Sequence, residues 1–177
     1  MQDTVAEIVT LCQRGDRDAQ RQLYKSTHQK VYRLMVRMVG RQDADDLTQQ
    51  VFLQVFRKID QFAGRSKLET WLYQVAVNQA LQHRRKEKRW KFQTLTLEPR
   101  SHDKREDESY EHKELIERAL ARLEPELRSI FVLREVEELS YREIAEVTSL
   151  PEGTVGSRLN RARRELQQHL SDLGWEP

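Results

Sequence analysis

A hydrophobic period of three to four residues recurs along almost the whole chain, and that spacing belongs to an α-helix, not to a strand. Leu47, Val51, Val55 and Ile59 fall at strict i,i+4 intervals, and Phe52 and Phe56 widen the stripe they form. Residues so spaced share one side of a helix, and that side needs another helix to cover it. With six Gly and four Pro in 177 residues, few of the turns a sheet protein needs are available. The expected fold class is all-α.

The same period divides the chain. A short helix is expected over Asp3 to Gln13, with Val5, Ile8, Val9 and Cys12 on one side. A second runs from Asp16 to Gly40 through Leu23, Tyr24, Val31, Leu34, Met35 and Met38, and Gly40 suits a left-handed cap. A third opens at Asp43, whose neighbours Asp45 and Asp46 complement the positive end of a helix dipole. Phe62-Ala63-Gly64-Arg65-Ser66 breaks the pattern, which resumes at Leu68, Trp71, Leu72, Val75 and Ala76 and exits into a basic run, Arg84 to Lys91. Glu98 to Ser109, with Pro99 and mixed charge, reads as a flexible linker. Two small helical domains follow: an N-terminal bundle over 1–92 and a C-terminal four-helix domain over 112–177, joined by a charged linker over 93–111.

In the second domain, Leu115, Ile116, Ala119, Leu120 and Leu123 line one helix. Pro125 occupies a first helical position, and Leu127, Ile130, Phe131, Leu133 and Val136 line the next. Ser140-Tyr141-Arg142-Glu143 is a capping box that starts a short helix, Thr148-Ser149-Leu150 is a turn, and Pro151 launches a second helix. Val155, Leu159, Ala162 and Leu166 give that helix one buried side. Its other side offers Thr154, Ser157, Arg158, Arg161 and Arg164, with Arg163 alongside and Gly153 before them. Hydroxyls and helix N-terminal amides suit phosphate, and arginine reads guanine edges, so the pair is expected to be a DNA-binding helix-turn-helix. A solvated basic surface is the plainer alternative.

The first bundle combines Phe62, Arg65, Ser66 and Lys67 in a loop with Trp71, Tyr73 and Asn78 on the helix after it. Stacking rings beside phosphate-neutralising cations suit unpaired bases, although Phe62, Trp71 and Tyr73 could equally fill the core. Net charge is only +2, but the bases cluster at Arg84 to Lys91 and the acids in the linker, which marks a polyanion-binding face beside a solvated connector. Asp43, Asp45 and Asp46 read as dipole partners, not as metal ligands, and the five histidines have no ligand spacing. With no nucleophile elbow or phosphate-binding glycine loop, neither enzyme, cofactor nor metal is expected. Cys12 reads as a buried small hydrophobe. No apolar run is long enough to cross a membrane, and a cytoplasmic protein is expected.

Two separated stretches resemble one family in order and spacing. Asp43-Ala-Asp-Asp-Leu-Thr-Gln-Gln-Val-Phe, Phe62-Ala-Gly-Arg-Ser, Thr70-Trp-Leu-Tyr and Asn78 resemble sigma domain two. Leu139-Ser-Tyr-Arg-Glu-Ile-Ala, Pro151-Glu-Gly-Thr-Val, Ser157-Arg-Leu and Arg161-Ala-Arg resemble sigma domain four. With only a short charged linker between them, the chain resembles the extracytoplasmic-function (ECF) sigma factors of the sigma-70 family. The resemblance implies a factor that binds core RNA polymerase through its largest subunits, recognises −10 and −35 promoter elements and promotes transcription initiation. It further implies restraint by an anti-sigma factor until a stress or environmental signal, with tethering to the membrane only through that factor.

The implied roles fall on named positions. Asp45, Asp46, Gln49, Gln50, Phe52 and Leu53 match the helix that grips a coiled coil of a large polymerase subunit. Phe62, Arg65, Ser66 and Asn78 match positions around a flipped −10 base, and Arg84, Arg85 and Lys88 would contact phosphates nearby. Arg134, Pro151, Gly153, Thr154, Ser157, Arg161 and Arg163 match −35 contacts, with Arg158 on the same outer side. Two residues depart from the pattern: Gly156, where many members have arginine, and Asn160, where an aromatic is frequent. An operator-binding helix-turn-helix regulator that works without polymerase and an inactive sigma-like adaptor are the rival readings.

Overall fold

The computed structural model describes residues 2–93 and 108–175, and among them there are eight α-helices, one 3-10 turn and no strand. They are α1 (Gln2–Gln13), α2 (Arg17–Val39), α3 (Arg41–Lys58), α4 (Leu68–Gln93), α5 (Glu108–Arg122), α6 (Pro125–Glu135), α7 (Tyr141–Thr148) and α8 (Glu152–Asp172); the 3-10 turn is Ile59–Gln61. Most of the linker expected over 93–111, from 94 to 107, lies outside the described residues.

The helix starts follow local chemistry. Asp16 caps α2, its carboxylate accepting from the amides of Asp18 at 2.9 Å and Ala19 at 2.8 Å. Gly40, at φ 93°, ends α2 by donating its amide to the Val36 carbonyl at 3.0 Å and is at once the residue before α3. A side chain is strained in that conformation, so one glycine makes the corner between two long helices. In consequence α3 begins at Arg41, two residues before the expected Asp43, and Asp43 sits in its first turn. Pro125 takes the first position of α6, as expected.

Met35 and Leu34 of α2, Val51 and Val55 of α3, and Ala76, Val77 and Ala80 of α4 are all fully buried and fill the N-terminal bundle. Cys12 of α1 is buried against them. The same apolar cluster continues without a break into Ile130 and Leu133 of α6, Ile144 and Val147 of α7, and Val155 and Leu159 of α8. The two halves therefore share one core. A smaller cluster of Ala119, Leu120, Leu123 and Leu166 joins α5 to α8. Burying each large aliphatic side chain contributes roughly 1.5–3 kcal/mol, so the seam between the halves is a substantial part of the structure.

Candidate nucleic-acid interface

The capping box forms as its sequence requires. Ser140 Oγ accepts from the Glu143 amide at 3.2 Å, and a Glu143 carboxylate oxygen accepts from the Ser140 amide at 2.9 Å. Ser149 ends α7 at φ 56°, a left-handed turn that swings the chain through Leu150 and Pro151 into α8. Val155, Leu159, Ala162 and Leu166 are buried. Ser157, Asn160, Arg161 and Arg164 are exposed on the other side, with Thr154 and Arg158 partly covered. Pro151 and Gly153 are exposed at the start of the helix.

Not every arginine on this face is held alike. Arg161 Nε donates to Glu165 at 2.7 Å, one turn along α8. Arg163 turns back to α6, where Glu135 accepts from its Nη2 at 2.5 Å and its Nε at 3.1 Å. Arg134 donates Nη1 to the Leu139 carbonyl at 2.9 Å, and its guanidinium lies 5.6 Å from the centre of the Tyr141 ring. Gly156 faces that tyrosine: a Cβ there would stand 3.5 Å from Tyr141 Cε2.

In the N-terminal half, the loop after the 3-10 turn is pinned from α1. Gln13 Nε2 donates to the carbonyls of Ile59 at 3.0 Å and Phe62 at 3.2 Å. Phe62 is partly covered, its ring 5.4 Å from that of Trp71, while Arg65 is exposed, Ser66 partly covered and Asn78 exposed about two turns along α4 from Trp71. Further along α4, Arg84 is paired with Glu87 at 2.8 Å and Arg85 with Glu126 of α6 at 3.3 Å; Lys88 is exposed.

Two residues read as nucleic-acid groups are used elsewhere. Tyr73 is buried, and its hydroxyl donates to Glu137 Oε2 at 2.6 Å across the seam. Burial, and then that hydrogen bond, push the phenol well above its ordinary pKa. Lys67 donates to Glu143 at 2.8 Å, so the capping glutamate of α7 is also the partner of the loop of the first half. The Lys67 ammonium, followed by the Ser140 amide and hydroxyl, holds the Glu143 carboxyl down at about 2. Gln74 adds a hydrogen bond from α4 to the Glu146 carbonyl at 3.3 Å. These partners stand more than sixty residues apart in sequence, and no local pattern announces them.

On the outer side of α3, Asp45, Asp46, Gln49 and Gln50 are exposed and Leu53 is 58% exposed, a large apolar side chain facing outward. Phe52 does not join them. It is 3% exposed, with its ring 4.7 Å from Tyr24, because the i,i+4 stripe is wide enough on this helix to draw it inward. Its expected direct contact with polymerase is therefore corrected to a place in the core, beneath the exposed surface. Among the described residues no cluster of His, Cys, Asp or Glu has the makings of a metal site, and no helix is long and apolar enough to cross a membrane.

Two family descriptions match the chain: Sigma-70 region 2 over residues 23–90 and Sigma-70, region 4 over residues 113–166. The ECF RNA polymerase sigma-E factor of Haemophilus influenzae is 33% identical, the alignment covering 94% of this chain and 95% of that protein. The ECF RNA polymerase sigma factor SigW of Bacillus subtilis is 30% identical over 98% of this chain and all of its own length. Among solved structures, the sigma factor RpoE from Bartonella quintana, in complex with the anti-sigma factor NepR, superimposes with a TM-score of 0.68 at 22% identity, covering 85% of this chain and 96% of that one. CnrH, solved with the cytosolic domain of CnrY, gives 0.69 at 20% identity, covering 93% and 96%.

Proposed function

Because the chain belongs to the ECF RNA polymerase sigma factors, which are transcription initiation factors and not enzymes, we propose that its two halves divide promoter recognition between them. Residues 1–92 act as sigma domain two and 112–177 as sigma domain four, joined through 93–111. The observation that carries this reading is the two-sided α8: one side closes the core, and the other presents Thr154, Ser157, Arg158 and Arg161 beside the short α7.

In this reading Pro151, Gly153, Thr154, Ser157, Arg158 and Arg161 meet −35 DNA, with Arg134 and Arg163 alongside. Phe62, Arg65, Ser66 and Asn78 engage the unpaired −10 strand, and Arg84, Arg85 and Lys88 neutralise phosphates beside it. Extruding a base costs a few kcal/mol of stacking, which contacts around the loop must return. Asp45, Asp46, Gln49, Gln50 and Leu53 form the polymerase-facing surface. The factor works in the cytoplasm under an anti-sigma factor; its likeness in fold to the sigma factor RpoE of Bartonella quintana, solved with the anti-sigma factor NepR, supports this.

The test is transcription in vitro with purified core polymerase on DNA from upstream of the gene. Promoter-dependent transcripts are expected only when the protein is added. Their absence, with tight binding of free protein to the same DNA, would establish the operator-binding alternative.

A further inference from the structure

The recognition helix has a glycine at position 156, where many members of the family have arginine, and the structure shows what stands next to it. Tyr141, the first residue of α7, is 37% exposed and lies against Gly156. Over its ring lies the guanidinium of Arg134, from the last turn of α6. Three helices thus converge on one point of the outer face. A guanidinium tied to a carbonyl at one nitrogen and laid over an aromatic ring has lost most of its rotational freedom before DNA arrives. A phosphate contact needs only a charge within reach and gains little from such fixing. A bidentate contact to a guanine edge needs the plane of the fork at a set angle and gains most.

We propose that Tyr141 is a positioning residue for promoter specificity: it holds Arg134 in a fixed plane for a directed contact with a base edge of the −35 element. This rests on the reading of α6–α8 as the −35 module. A Cβ at 156 would meet Tyr141 Cε2 at 3.5 Å, ordinary van der Waals contact, so Gly156 and the stacked pair are neighbours on one face of the module.

The experiment transcribes a pool of promoters randomised over the −35 and −10 segments, using core polymerase and the full chain, and sequences the templates that yield RNA. Wild type, Arg134→Ala, Tyr141→Ala, Tyr141→Phe and the double variant Arg134→Ala/Tyr141→Ala are compared, with the −10 preference in the same pool as the control for folding and polymerase binding. Arg134→Ala is expected to erase the preference at one −35 position by roughly tenfold or more. Tyr141→Ala should weaken the same position, the double variant should be no worse than Arg134→Ala, and Tyr141→Phe, which keeps the ring, should behave as wild type.

A Tyr141→Ala profile equal to wild type, a loss spread evenly over all sequences, or a Tyr141→Phe variant as impaired as Tyr141→Ala would each overturn the proposal. An Arg134→Ala variant without effect, while wild type keeps a −35 preference, would likewise overturn the proposal, whereas absence of any −35 preference in the wild-type pool would instead overturn the underlying assignment of the module.

Discussion

Glu143 has two duties, and they can be separated. As the third residue of α7 it accepts from the Ser140 amide; as the partner of Lys67 it ties α7 to the other half of the molecule. Glu143→Gln keeps a side chain able to complete a capping box but removes the ion pair, whereas Glu143→Ala removes both. Its folded pKa of about 2 lies below the ordinary value of 4.5. A depressed carboxyl stabilises the fold above its unfolded pKa, and that contribution fades as pH falls through the folded one. Acid titration of wild type followed by circular dichroism should therefore show a loss of stability between about pH 4.5 and 2 that is diminished in Glu143→Gln. An identical acid transition in both would contradict the ion pair. A neighbouring pair on α3 gives a second residue-scale contrast. Phe52→Ala should lower unfolding stability by about 3–5 kcal/mol. Leu53→Ala should change it by less than about 0.5 kcal/mol yet weaken capture of core polymerase in a pull-down. Equal effects of the two on stability would argue against their opposite burial.

Among the elements, those with a strong local signal were the easiest to read. The capping box, Pro125 and the spacing of Val155, Leu159, Ala162 and Leu166 act within one or two turns, so the order of the residues carries the information. The start of α3 was displaced because Gly40 serves two helices, whereas an acidic cluster ordinarily marks a start. Phe52 could not be placed from its spacing alone, since a wide apolar stripe and a partner-facing edge look alike in one dimension. Tyr73 and Lys67 have the right chemistry for nucleic acid; what diverts them is the approach of the α6–α7 connection, to Tyr73, and of α7, to Lys67, a tertiary fact. Two expectations belong to this scale. Ser140→Ala should cost about 1 kcal/mol through loss of the α7 cap, measured by denaturant unfolding, and an unchanged midpoint would argue against that cap. Lys88→Ala at the exposed end of α4 should weaken promoter binding across sequences and lower the slope of log affinity against log salt by about one. A slope equal to wild type would remove Lys88 from the phosphate contacts.

At the scale of the whole molecule, the continuous core sets a problem of length. Elements named −10 and −35 lie roughly 25 base pairs apart, or about 85 Å of duplex at 3.4 Å per step. The longest helix among the described residues, α4, has 26 residues, about 39 Å at 1.5 Å per residue, and the two halves share one core beside it. To lie on both elements of one promoter, the two reading surfaces have to stand about twice that helix length apart. Fluorophores on the exposed Arg57 of α3 and Gln167 of α8 should show high energy transfer in free protein and a marked fall when core polymerase is added. Transfer that stays high during active transcription would refute separation. Tyr73→Phe and Glu143→Gln, which loosen the seam without entering either reading surface, should lower transfer in the free protein. Seen this way, the shared core, with the hydrogen bond from Tyr73 to Glu137 across it, is the clasp of a folded ruler: while it is shut, the two marks cannot be drawn apart.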